Sequence, residues 1–207
     1  MRFLAIAAAS AALWVGAAQA VTLDFVAEAA GNERGVEDGT TIDFGGLDVT
    51  FSAGPGGLGS DFAYFDDLSS GRPAGLGVCT TLTRKAQCSP SSDDNVHSDE
   101  SVTLGFGETV NLFNLVFRDV THFLLTSPSK FLDITVNGGP TVAYSFAEAS
   151  MMLFEDVDTI TFAGRDDDGA QFYLSSAVAA VPVPAAGALL LGALGGLGLS
   201  RRRSAAV

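Results

Sequence analysis

Leu132-Asp133-Ile134-Thr135-Val136-Asn137-Gly138-Gly139-Pro140-Thr141-Val142-Ala143-Tyr144-Ser145-Phe146 is the stretch that decides the fold. Leu132, Ile134 and Val136 alternate with polar or small residues, and Val142, Tyr144 and Phe146 do the same after the turn. A period of two with one apolar face belongs to a strand that buries one side in a sheet. Asn-Gly-Gly-Pro between two such runs is a turn signal, because Asn and Gly tolerate left-handed backbone and Pro ends regular pairing. The segment therefore reads as an antiparallel hairpin.

The same grammar recurs outward in both directions. Leu23 and Phe25 alternate with polar residues, as do Ile42 and Phe44, then Leu47, Val49 and Phe51. Val102, Leu104 and Phe106 follow, then Ile160 with Phe162 and Phe172 with Leu174. Gly45-Gly46, Gly54-Pro55-Gly56-Gly57 and Asp166-Asp167-Asp168-Gly169 punctuate them. The one plausible helical piece is short, around Ala147 to Phe154. Many short strands with tight turns predict an all-β domain, an antiparallel β-sandwich of jelly-roll type, with a closed barrel as the alternative.

The two ends are written differently. Arg2 gives a positive start, Phe3 to Ala18 is an apolar run, and Ala18-Gln19-Ala20 is the small-x-small pattern that signal peptidase requires. Cleavage is expected between Ala20 and Val21. At the other end Val181 to Leu199 carries no charge, and a helix of about 19 residues spans roughly 28 Å, close to the bilayer core. Arg201, Arg202 and Arg203 follow, and such a cluster holds its end in the cytoplasm. The expected organisation is a signal peptide at 1–20, a body at 21–180 and a tail at 181–207. The tail combines a Pro motif, a transmembrane helix at 183–199 and the Arg cluster at 201–203.

Val181-Pro182-Val183-Pro184-Ala185, the Gly/Ala/Leu span and the Arg cluster, in that order, resemble the PEP-CTERM class of bacterial sorting tails. The nearest form is the Val-Pro-Leu-Pro-Ala variant, from which Val183 departs. The resemblance covers about 27 residues. It implies that signal peptidase and an exosortase process the chain. It further implies an inner-membrane stage followed by the envelope or extracellular space, and an association with exopolysaccharide and biofilm matrix. The proline motif would then be read by another enzyme, and two prolines one residue apart do keep a segment extended. More loosely, Gly75-Leu76-Gly77-Val78-Cys79, an acidic loop and Ser101-Val102-Thr103-Leu104-Gly105-Phe106 resemble bodies found ahead of such tails.

All 24 acidic residues and only 7 of the 11 basic ones lie in the body. That balance excludes a nucleic-acid partner, whose phosphates it would repel. Cys79 and Cys88 are the two cysteines, and an oxidising compartment predicts a disulfide between them.

Motifs for chemistry are missing: no G-x-S-x-G, no H-E-x-x-H, and no Lys-Ser/Thr after the glycines at 54–59. His97 reads as a surface histidine of a polar loop and His122 as an edge-strand histidine. Asp93, Asp94 and Asn95, with Asp99 and Glu100, are the candidate metal ligands, with Ca2+ as the ion because it takes six to eight oxygens. A solvated acidic loop is the alternative. Three functions follow: a non-enzymatic envelope or matrix protein, a carbohydrate-binding module using aromatics such as Tyr64, Phe65 or Tyr173, and, behind both, a secreted hydrolase.

Overall fold

A computed structural model describes residues 20–54, 61–69, 71–167 and 170–182. Ala18, Val183, Pro184, Ala185, Arg201, Arg202, Arg203 and the span expected at 183–199 lie outside the described residues. So do most of the Gly-rich turn after Gly54 and the last two residues of the Asp-Asp-Asp-Gly turn.

The chain is all-β and its strands pair antiparallel. In order they are β1 (Ala20–Asp24), β2 (Arg34–Val36), β3 (Thr40–Phe44), β4 (Leu47–Gly54), β5 (Phe62–Ser69), β6 (Arg72–Cys79), β7 (Ser101–Asp119), β8 (Phe131–Val136), β9 (Thr141–Ser145), β10 (Leu153–Ala163) and β11 (Phe172–Ala180). Two short helices interrupt them, α1 (Phe25–Ala29) and α2 (Phe146–Met151). The main path of the sheet is β2-β5-β6-β11-β7-β10-β8-β9, with β1 on β11 and the β3–β4 hairpin on β7. Among the described residues, no helix is long and apolar enough to cross a membrane.

The quoted hairpin forms as read. Thr135 pairs with Thr141. Asn137 and Gly138 both have positive φ, and the Gly139 amide bonds the Val136 carbonyl at 2.9 Å. That is the mirror-image turn whose twist suits a hairpin. Gly45 and Gly46 do the same between Phe44 and Leu47.

Strand β7 organises the rest. Its first third, Ser101 to Phe106, pairs with β4 along one edge. Further along, Asn111 to Asp119 pair with β11, while β10 runs beside residues 101–113 on the other edge. The sheet thus divides and folds over. Phe51 of β4 packs edge-on against Phe65 of β5 with centroids 5.2 Å apart, and Phe25 and Phe44 complete that end of the core. At the other end Phe117 meets Phe146, Phe162 and Phe172 edge to face. Eight phenylalanines are used in this way; such pairs add to the free energy of simple burial.

Period two is interrupted where the chain needs it to be. Val102, Leu104, Val110 and Leu112 point into the core, but after Asn114, whose φ is 53°, the buried residues become Leu115 and Phe117. The pairing with β11 shifts register there, as at a β-bulge, so the inward face changes parity.

Two local readings differ from the sequence. Phe25 does not continue β1: Asp24 accepts a 2.9 Å hydrogen bond from the Ala27 amide and caps a helical turn that swings Phe25 into the core. The expected helix at 147–154 is shorter and starts earlier. Ser145 and Glu148 form a capping box, and the chain returns to strand at Leu153.

Candidate functional site

Outer residues of β5, β6 and β11 should meet solvent, yet Tyr64, Asp66, Tyr173 and Ser175 are all buried. What covers them is the segment between β6 and β7. Gly77 makes room for it: a Cβ there would stand 2.0 Å from the Asp94 carbonyl oxygen and 2.8 Å from the Asn95 Cα. The Cys79–Cys88 disulfide closes the start of the loop, and closing so short a ring stabilises by about 2.5–3 kcal/mol in the chain-entropy picture. Val96 and Phe172 exchange backbone hydrogen bonds of 2.8 and 3.0 Å, fastening the far end.

A polar chain lies beneath. The Tyr173 hydroxyl donates to Asp94 Oδ1 at 2.6 Å, and the Tyr64 hydroxyl donates to Glu33 Oε1 at 2.6 Å. His122 packs edge-on against Tyr173. Its Nδ1 lies 3.0 Å from the Arg72 carbonyl, which can only accept, so Nδ1 carries the proton. Nε2 then faces Asp66 Oδ2 at 3.3 Å, and one proton serves that contact. Burial pushes the Asp66 carboxyl up to about 7; the Asp94 charge adds to this, and His122 opposes it. Burial also raises Asp94, and both buried tyrosine hydroxyls move up for the same reason.

A pH dependence follows. Unfolded, Asp66 titrates near its ordinary value of about 4. Between that value and about 7 the folded chain holds a proton that the unfolded chain releases, so this group's contribution to stability is lost as pH rises. Asp66→Asn is expected to gain on the parent chain by on the order of 2 kcal/mol between pH 5 and pH 8. Melts of both chains at the two pH values check it, and a difference that does not change with pH refutes it.

The five expected metal ligands do not converge. Asp94 is engaged by Tyr173. Asn95 is buried beside it, with its Oδ1 unpaired. Asp99 takes a left-handed conformation and lines an acidic recess with Glu100, Asp133, Asp166 and Asp167, across which Arg165 reaches both Asp133 and Asp167. Asp93 and Glu100 do converge, and His97 joins them: ligand atoms of the three lie within 4.8 Å of one another. Burial pushes the Glu100 carboxyl up to about 7, against the opposing effect of the His97 amide and ring. His97 is a partly exposed loop residue as expected, and the spacing Asp93-x3-His97-x2-Glu100 is the local signal for the group.

Two other readings change and one holds. His122 is buried and not on an open edge, because the turn at 119–125 folds it beneath Arg72. Tyr64, Phe65 and Tyr173 are each 2% exposed or less and offer no face to a sugar. Cys79 and Cys88 are bonded as expected.

No protein-family model and no curated protein matches the chain. Two crystal structures of an exo-β-1,3-galactanase from Phanerochaete chrysosporium are similar in part. The one with β-1,3-galactotriose has a TM-score of 0.33 at 14% identity, over 71% of this chain and 29% of that one. The one with galactose has a TM-score of 0.27 at 12% identity, over 69% and 43%. The chain spans less than half the length of either, and a likeness of this degree carries no argument about function.

Proposed function

We propose that the chain is an exported envelope or extracellular-matrix protein of the PEP-CTERM class, a jelly-roll-type β-sandwich that works by interaction and is sorted by an exosortase through its C-terminal tail. The observation that carries this reading is where the body stops. β11 ends at Ala180, and Val181 and Pro182 leave the sheet at once, so the proline motif begins outside the last ladder. A processing enzyme needs such an unpaired segment. The disulfide suits an oxidising compartment. Signal peptidase and the exosortase are the processing partners in this reading, and the segment 183–199 is a transient membrane anchor.

Intact mass of the protein from envelope and medium tests it, in cells with and without the exosortase. The expected species starts at Val21 and ends near Pro182 to Ala185 only when the peptidase is present. A chain that keeps Arg201 to Arg203 in both strains overturns the reading.

A second reading, binding of the matrix polysaccharide, is favoured by Phe123. Its ring is half exposed on the turn after β7, beside Val120 and Leu124, and the Arg72 guanidinium lies 4.1 Å from its centroid. An aromatic face next to a multiple donor is a platform for a sugar ring. Pull-down with the host's exopolysaccharide should weaken at least tenfold in Phe123→Ala; equal retention by both chains argues against it.

A further inference from the structure

Each carboxylate of the Asp93–His97–Glu100 group has one oxygen tied and one left over. The Thr80 amide and hydroxyl both donate to Asp93 Oδ2. The His97 amide donates to Glu100 Oε2 at 3.1 Å. The remaining atoms, Asp93 Oδ1 and Glu100 Oε1, lie 3.5 and 3.1 Å from His97 Nε2. Glu100 Oε1 receives no hydrogen bond, although its side chain is only 5% exposed. His97 Nδ1 is 2.9 Å from the Ser98 carbonyl, an obligate acceptor, so in the neutral ring Nδ1 holds the proton and Nε2 presents a lone pair. Two carboxylate oxygens and one imidazole nitrogen, each able to offer a lone pair to a cation, then lie within 4.8 Å of one another.

We propose that this point binds one divalent transition cation of the zinc class, held by Asp93 Oδ1, His97 Nε2 and Glu100 Oε1. The spacing from the imidazole suits it: ligand bonds of about 2.0–2.1 Å set tetrahedral edges of about 3.4 Å, which the 3.1 and 3.5 Å separations from Nε2 bracket, and all three atoms lie within 4.8 Å of one another. The ligand chemistry suits it too. An imidazole selects zinc-like ions over Ca2+ and Mg2+, which prefer an all-oxygen shell. The supporting contacts are those of a metal site, with the imidazole donating its other N–H to a carbonyl and the carboxylates oriented by amides and a hydroxyl. Backbone contacts hold the turn rigid: the Gly164 amide bonds the Glu100 carbonyl at 2.9 Å, and a Cβ at Gly164 would stand 1.9 Å from the His97 carbonyl oxygen. Three protein ligands leave a fourth position for water, and Glu100 borders the acidic recess from which a cation would enter.

The test uses the full chain, purified in detergent, stripped with chelator and equilibrated with Zn2+, with bound metal counted by elemental mass spectrometry. One Zn2+ per chain is expected at micromolar free metal, and Co2+ in its place should give tetrahedral visible absorption. His97→Ala and Glu100→Gln should each weaken retention at least tenfold, with Asp93→Asn as a third variant and melts to show that each folds. No retained Zn2+, retention of Ca2+ in its place, or His97→Ala binding like the parent chain would overturn the site.

Discussion

Phe117→Ala is expected to cost about 3–5 kcal/mol, the range for truncating a fully buried aromatic. At roughly 2–4 °C per kcal/mol for a chain of this size, the melting temperature should fall by about 10 °C or more. Phe117 is fully buried and stands where four elements meet. Phe146 of α2 is 5.3 Å away between centroids, Phe172 of β11 is 5.8 Å and Phe162 of β10 is 6.1 Å, each near perpendicular. Removing it empties a space that three rings frame, and a framework of strands cannot collapse into it. Phe123→Ala is the comparison, since its ring is half exposed and its loss should stay within about 0.5 kcal/mol. Equal melting points for the two variants would mean that the aromatic cluster is not the centre of the core.

The second large effect is expected from a single methyl group. Gly77→Ala should destabilise by about 2–3 kcal/mol, because the added carbon meets backbone and not a movable side chain. The covering loop must lift. Cleavage by a dilute protease between Thr80 and Val96 should therefore rise at least tenfold, ahead of global unfolding. Gly105→Ala serves as the reference, since a Cβ there finds only ordinary contacts at 3.8 Å and beyond. Should Gly77→Ala melt and resist protease like Gly105→Ala, the loop does not depend on that approach.

The contrast between these two glycines shows how far the residues could be read in advance. Alternation at 132–146, the turn glycines and the paired cysteines are local signals, and each reports directly on the structure around it. Gly77 stood out within Gly-Leu-Gly-Val as part of a strand. Its reason is a carbonyl 17 positions away, and no local pattern encodes that. The same holds for Tyr173 and Asp66, which sit on the polar phase of their strands and are buried because a loop returns over them. Asn114 is a smaller case: one left-handed residue reverses the inward phase of β7, and strict period two misassigns every residue after it. His97 was within reach, since Asp, His and Glu at positions 93, 97 and 100 are close in sequence. His97 is itself a third exposed, and the polar neighbourhood gives no sign that Gly164 and the strands around it enclose Glu100.

The partnership of β1 with β11 has a consequence for timing. Ala20 lies opposite Ala180 and Asp24 opposite Ser176, so the first residues of the body are paired with its last. β11 also fills the space between β6 and β7. A ribosome that has delivered only residues 20 to 170 has delivered a sheet with its middle strand missing. Closing so long a loop slows folding. The body therefore completes its sheet only once its final strand is available.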